Sequence, residues 1–166
     1  FKALSVQNPW GWALVTKGRD GKPLKPVENQ RTPLGEPNRG TWVLIHVGHS
    51  HTPDLLTVTW LRETVLDLGI KMPDWAGTKF KKIGAIVGAV LFTADAKPQY
   101  AEQDPYARLW VTPQSETPDR RRCWMLTDCV AFDRHIPSKG TQAPLIWEPT
   151  PSVHMLAQAE MRRLVG

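Results

Sequence analysis

The order of the apolar segments is the feature that most limits the fold. Runs typical of β-strands and amphipathic helices alternate at first, but this alternation stops after residue 95. A doubly wound α/β sheet needs such alternation along its whole length. Several of the predicted strands are short and contain glycine, which favours bending. The sequence therefore predicts an α+β or mostly β fold, a small curled sheet or barrel of about five to six strands with helices on its outside.

Local sequence signals place the elements. Runs rich in β-branched and aromatic residues predict strands at 3–6, 41–47, 83–93, 123–132 and 145–147. Helical spacing and proline start signals predict helices at 9–17, at 52–68 and from 151 onwards, with Asn8 capping the first. The basic, turn-rich stretch 19–39 and the segment 95–122 are predicted to be loops.

The length and net charge of the chain limit the classes of protein to which it can belong. The 166 residues are about one domain's worth, so 1–166 is predicted to be a single domain with a long loop insertion at about 95–122. No apolar run approaches the roughly 18 residues of a membrane-spanning helix, and the start does not resemble a signal peptide. We therefore expect no membrane partner, and the cysteines Cys123 and Cys129, taken as free thiols, favour a cytoplasmic protein. The net charge of +5 permits binding of a polyanion.

Tryptophan is unusually frequent, with eight residues in 166. A chain of this size can bury about four or five of them in one core. The others are candidates for a binding surface, because indole rings stack on bases and sugars.

Common nucleophile and cofactor motifs are missing from the sequence. It contains neither the Gly-x-Ser-x-Gly pattern nor a cysteine with a convincing histidine partner. If Cys123 and Cys129 share one strand, they lie roughly 20 Å apart, so both are expected to be free thiols. The phosphate-loop pattern Gly-x-x-x-x-Gly-Lys is also missing. We therefore expect neither ATP- nor NAD-dependent chemistry and no cofactor.

Five segments follow one another in the order of a known family. They are 3–13 (ALSVQNPWGWA), 25–29 (KPVEN), 39–46 (RGTWVLIH), 84–90 (GAIVGAV) and 124–137. With these segments the chain resembles the ASCH domain family (activating signal cointegrator homology), which belongs to the PUA-like superfamily. The resemblance implies a small PUA-like β-barrel with flanking α-helices.

The resemblance also implies a site. A cleft is expected between the barrel and the first helix, with the stretch 25–29 projecting into it. Members of the family are thought to bind RNA or other nucleic acids, some are reported as ribonucleases, and one branch hydrolyses an acetylated cytidine. The related YTH and EVE domains bind modified bases in aromatic-lined pockets. The hydrolytic branch carries Lys-x-x-Thr with a threonine nucleophile, and this chain departs from it by having Glu28 at that position.

Lys25 and Glu28 are the first candidates in this cleft. A lysine there binds phosphate as a point charge, or acts as a base when it is desolvated. The carboxylate three residues on favours the ammonium form and a positioning role. In an enzyme, Lys25 would stabilise developing charge while Glu28 or a histidine moved the proton. The alternative is a surface ion pair on a basic loop.

Other contacts with nucleic acid are assigned by residue type. Gln7 and Asn29 are candidates for reading a base edge, and either Trp10 or Trp12 for stacking. Because Trp10 shares a helical face with apolar residues, it is the one expected to enter the core. The candidates for phosphate contacts are Lys25, Arg31, Arg39, His46, His49 and Arg121.

His46, His49 and His51 have a spacing that could suit a metal. Zinc accepts imidazole nitrogens, and three histidines with one open position would form a catalytic centre. However, His46 ends a predicted strand, the other two precede a helix, and no carboxylate of matching spacing follows. We therefore expect no metal, and a role for these histidines in the start of the helix or in the cleft.

The sequence thus predicts a nucleic-acid-binding domain that holds RNA, or a single-stranded or modified base, in a cleft beside the first helix. The alternative is an enzyme, either a metal-independent ribonuclease or a modified-nucleoside hydrolase, that uses Lys25 and Glu28. A third possibility is a protein-interaction adaptor with an empty cleft. No feature of the sequence indicates an oligomeric state.

Overall fold

A six-stranded sheet forms the centre of the molecule. It is seen in a computed structural model of the chain, which describes residues 1–48, 55–77, 83–111 and 122–166. The strands are β1 (Lys2–Val6), β2 (Val27–Gln30), β3 (Thr41–Val47), β4 (Ala85–Ala96), β5 (Arg122–Pro137) and β6 (Ile146–Trp147). Their order in the sheet is β2-β5-β4-β3-β1-β6. β1 runs parallel to β3, and the other neighbouring pairs are antiparallel.

Helices of very different lengths flank the sheet. They are α1 (Trp10–Val15), α2 (Leu55–Asp67), α3 (Asp74–Gly77), α4 (Pro98–Ala101), α5 (Pro105–Arg108) and α6 (Pro151–Val165). α1 packs on β4, and α6 packs on β5. Within the described residues, none of these helices has both the length and the apolar character needed to cross a membrane.

Irregular pairing between the two longest strands curls the sheet. The register of the β4–β5 ladder shifts between Ile86 and Gly88, and again on both sides of Phe92. Extra residues in a ladder increase its local twist, so a long pair of strands bends rather than staying flat. The result is an α+β fold, a six-strand curled half-barrel with flanking helices, which confirms the predicted fold class.

Apolar packing fixes α2 beside α1. Val58, Leu61 and Val65 of α2 enter the same buried cluster as Trp12 of α1. Two further clusters fill the remaining space between the sheet and its helices. Cys123 and Cys129 are both buried, and both are free thiols as predicted.

The structure corrects several local predictions. α1 begins at Trp10 and has Pro9 in its N-cap position, so the prediction that Asn8 caps the helix is wrong. The side-chain amide of Asn8 instead donates a hydrogen bond to the carbonyl oxygen of Trp75, at 3.0 Å. β2 lies inside the stretch predicted as a loop, and α4 and α5 lie inside the segment 95–122. These elements are only four residues long, too short for a periodic signal.

Gly88 lies in β4, where α1 packs most closely on the sheet. A Cβ at this position would overlap the carbonyl oxygen of Val130 and would lie 2.8 Å from Cγ1 of Val15. Because backbone in a sheet cannot move away easily, we expect Gly88→Ala to lower the free energy of unfolding by about 1–3 kcal/mol, measured by urea denaturation. Gly48→Ala is the control, since a Cβ there meets no atom within 4 Å. Equal losses in the two variants would contradict the packing argument.

Candidate ligand-binding cavity

A cavity of about 820 Å³ lies beside α1. Its wall combines the end of β1, the start of α1, β2, α2 and the segment 109–111, which follows α5. The lining residues are Ser5, Val6, Gln7, Trp10, Lys25, Glu28, Asn29, Gln30, Leu56, Thr57, Trp60, Leu109, Trp110, Val111 and Gln142. A cleft therefore exists beside the first helix, and the stretch 25–29 contributes to its wall.

Three indole rings face this cavity, from Trp10, Trp60 and Trp110. The rings of Trp60 and Trp110 meet edge to face, with centroids 6.4 Å apart and an interplanar angle of 77°. Trp110 is buried, whereas 43% of Trp60 is exposed. An arrangement with one fixed ring and one accessible ring can hold a planar ligand by stacking.

A buried ion pair forms the polar part of the wall. Nζ of Lys25 lies 3.0 Å from Oε1 of Glu28, and both side chains are almost wholly enclosed. The Lys25 ammonium also donates a hydrogen bond to the carbonyl oxygen of Val27 and lies 5.9 Å from the centroid of the Trp10 ring. Oε2 of Glu28 accepts a hydrogen bond from Nε2 of Gln30, at 3.1 Å. β2 provides this geometry because its antiparallel pairing with β5 fixes the backbone from Val27 to Gln30.

The chemistry of this pair is that of a fixed dipole. Both carboxylate oxygens of Glu28 accept hydrogen bonds, and two protons of the Lys25 ammonium are donated within the wall. Both side chains are held by these hydrogen bonds within the wall, which favours a positioning role over general base catalysis. The alternative of an exposed surface pair on a basic loop is wrong, since both residues are buried.

Side-chain amides complete the polar lining. Nδ2 of Asn29 donates a hydrogen bond to the carbonyl oxygen of Trp110, at 2.8 Å, and so ties β2 to the segment that carries this indole. Gln7 and Gln142 are exposed residues of the same cavity. Of the two amides predicted to read a base edge, that of Gln7 is exposed, whereas that of Asn29 already donates a hydrogen bond within the wall.

The fold of the chain is similar to that of solved ASCH structures. No family model matches the chain, and none of the curated proteins does. A crystal structure of a mutant of ASCH from Zymomonas mobilis matches with a TM-score of 0.50 and 13% sequence identity, over 96% of this chain and 94% of that chain. The chain has an ASCH-type fold.

Two further crystal structures of ASCH from the same organism are also similar to this chain. The crystal structure titled ASCH from Zymomonas mobilis is 14% identical, with a TM-score of 0.45, and covers 82% of this chain and 72% of its own. A second mutant is 14% identical, with a TM-score of 0.44, and covers 82% and 74%. Likeness at such low identity concerns the fold and says nothing about ligand or activity.

Within this ASCH-type fold, several predicted contacts do not reach the cavity. Trp12 is buried in the core and Trp10 lines the cavity, so the expectation that Trp10 is the core residue is wrong. Arg31 and Arg39 are exposed outside the lining, and Arg39 lies 3.3 Å from Glu36 in a surface ion pair. A contact between these arginines and phosphate would therefore lie outside the cavity.

His46 does not line the cavity directly. It is 3% exposed, and its two ring nitrogens lie 3.0 Å from Oγ of Ser5 and 2.8 Å from the carbonyl oxygen of Ser138. The prediction that His46 contacts phosphate does not fit this burial.

The other predicted histidines cannot be compared with the structure in this way. His49, His51 and Arg121 lie outside the described residues, so the predictions for them stay predictions. Within the described ranges, no three histidine, cysteine or acidic side chains are grouped as a metal would need.

Most of the lining residues were not predicted as site residues from the sequence, among them Ser5, Trp60, Trp110 and Gln142. The excess of tryptophan was the available signal, because Trp60 lies off the buried stripe of α2.

The environment of Cys129 disfavours this thiol as a nucleophile. Burial raises the pKa of the Cys129 thiol to about 12, although Lys17 acts in the opposite direction. The thiol is therefore protonated at neutral pH and is a poor nucleophile.

Proposed function

We propose that the ASCH-type cavity binds a nucleobase of RNA or of another single-stranded nucleic acid. The observation that carries the proposal is the aromatic wall made by Trp10, Trp60 and Trp110 around about 820 Å³. Stacking of one base on an aromatic side chain contributes about 1–3 kcal/mol, and a cavity of this size takes a ligand as large as a nucleoside.

The charges of the wall favour an uncharged ring over a phosphate as the occupant. Lys25 is neutralised by Glu28 at 3.0 Å, so the pair contributes a dipole rather than a net positive charge. A base offers donors and acceptors to the amides of Gln7 and Gln142, which face the same cavity. Phosphates of the strand would remain outside, where Arg31 and Arg39 are exposed. A single strand supplies such a base without the cost of unpairing a duplex.

Trp60→Ala tests the stacking. Because Trp60 is partly exposed and its ring faces the cavity, we expect the variant to fold normally and to bind a short single-stranded RNA about 5–150-fold more weakly. The affinity is measured by quenching of tryptophan fluorescence or by anisotropy of a labelled oligonucleotide, at fixed salt concentration.

Trp42→Ala is the matched control. Trp42 is half-buried in β3 and is not part of the cavity lining, so its removal should leave the affinity unchanged. A DNA strand of matched sequence in the same titration tests recognition of the sugar. Free nucleosides test recognition of the base without the phosphates. Equal affinity of the wild type, the Trp60 variant and the Trp42 variant would contradict the proposal.

A further inference from the structure

The cavity differs in character between its inner end and its mouth. The inner end is formed by buried residues, among them Trp110 and Lys25. The mouth is formed by three exposed apolar residues, Leu56 and Trp60 of α2 and Leu109 of the segment 109–111. Leu56 is 79% exposed and lies one helical turn before Trp60, so both present the same face of α2. Large apolar side chains grouped in contact with water are typical of a binding surface.

The planes of two indole rings limit what a single base can do in this cavity. The rings of Trp60 and Trp110 are nearly perpendicular, with an interplanar angle of 77°. Stacking needs two ring planes that are close to parallel. A base that is parallel to the Trp110 ring is therefore nearly perpendicular to the Trp60 ring, and it stacks on only one of them. Two bases in different planes are needed if both indoles are to bind a ring by stacking.

The size of the cavity also favours more than one base. Its volume of about 820 Å³ lies in the upper half of the range of roughly 300–1,000 Å³ that is typical of pockets for drug-sized ligands. A single nucleoside is smaller than such a ligand. One nucleoside at the inner end would leave room at the mouth, and the side chains of Leu56 and Leu109 would stay in contact with water.

We propose that the cavity holds two consecutive nucleotides of one single strand, with their bases unstacked from each other. The inner base packs against Trp110, and the outer base stacks on Trp60 between Leu56 and Leu109. The inference rests on the proposed function, because it extends the binding of one base to the recognition of a two-nucleotide unit.

A single strand suits this arrangement. Its unpaired bases can be splayed apart and stacked one by one on aromatic side chains, whereas the bases of a duplex are stacked on each other. The phosphate that joins the two nucleotides would lie at the mouth, in contact with water. The inner end does not attract it, because Lys25 is neutralised by Glu28 at 3.0 Å.

The test compares small ligands on the full chain. They are adenosine, the dinucleotide ApA, the trinucleotide ApApA and the two forms of ApA in which one of the bases is missing. We expect ApA to bind about 5–150-fold more tightly than either abasic form, because the second base adds one stacking contact. ApApA should gain little affinity over ApA. Binding is followed by the indole N–H signals in NMR spectra at fixed salt concentration, since this method detects weak complexes.

Leu56→Ala and Leu55→Ala are the matched pair of variants. Both leucines are strongly exposed at the start of α2, but only Leu56 lines the cavity. We expect Leu56→Ala to weaken the binding of ApA by about 3–10-fold and to leave that of adenosine unchanged. Leu55→Ala should change neither affinity. Trp60→Ala should reduce the affinity of ApA to about that of the tighter abasic form.

Two outcomes would overturn the two-nucleotide site alone. One is equal affinity for ApA and for one of its abasic forms, which leaves the binding of a single base in place. The other is an equal loss of affinity for ApA in the Leu55 and Leu56 variants. A protein that binds none of these ligands would contradict the proposed function as well, so the failure of each hypothesis is recognised separately.

Discussion

Lys25→Met will lower the free energy of unfolding by about 3–5 kcal/mol. The reason is the burial of its partner: the carboxylate of Glu28 loses the ammonium 3.0 Å away and stays in a wall with almost no access to solvent. The carbonyl oxygen of Val27 loses its donor at the same time. Chemical denaturation followed by circular dichroism measures the change, and a loss of this size is a large share of the stability of an ordinary domain.

The double variant Lys25→Met, Glu28→Gln is the control for this prediction. It removes both charges but keeps a side chain of similar size at each position, so much of the lost stability should return. The difference between the single and double variants gives the coupling energy of the pair. A Lys25→Met protein as stable as the wild type would mean that the pair is solvated in solution, and the charge argument for an uncharged ligand would then be lost.

Trp110→Ala will have an effect of similar size, about 3–5 kcal/mol of unfolding free energy, for a different reason. Trp110 is buried in the cluster that holds α2 against α1, so its removal leaves a cavity in the core as well as a gap in the binding wall. We also expect RNA binding to weaken, because the Trp60 ring loses its edge-to-face partner. Thermal unfolding and the same fluorescence titration measure both losses.

Trp60→Ala serves as the comparison for this variant. Both rings line the cavity, but Trp60 is partly exposed, so its loss should reduce affinity with little change in stability. A Trp110 variant with unchanged stability would contradict the packing described for α2. The pair of variants thus separates the structural role of the aromatic wall from its role in binding.

The fold was predictable because the central strands carry strong local signals. β3 and β4 are rich in β-branched and aromatic residues, and the predicted sheet contains both. β2 was missed because three of its residues, Glu28, Asn29 and Gln30, are not strand formers. Its conformation is decided by pairing with β5, which lies almost a hundred residues later in the chain and leaves no trace in the local sequence.

The assignment of the first two tryptophans shows the limit of helical periodicity. α1 is buried almost all round, with Gly11, Trp12, Ala13, Leu14 and Val15 all inside. It packs on the sheet on one side and shares a cluster with α2 on another, so it has no single apolar face. The spacing argument that placed Trp10 in the core needs such a face. Only the position of α2 decides which indole lines the cavity.

The contact between Ser5 and His46 could not be found by motif. Ser5 and His46 are 41 residues apart and become neighbours through the register of a parallel pair of strands. The imidazole also lies next to a backbone carbonyl, which any residue at position 138 would supply. Candidates such as Lys25 and Glu28 were accessible to sequence reasoning because their spacing of three residues is itself local.

The place of β1 in the sheet has a consequence for biosynthesis. Of the six strands of the sheet, β1 is synthesised before the other five, yet its two neighbours are β3 and β6, and β6 is synthesised after the other five. One edge of the nascent strand therefore stays unsatisfied until Trp147 has been synthesised. Ser5 obtains its indole donor only at that moment. A ribosome that stalls before this point therefore holds a β1 strand with one edge unpaired.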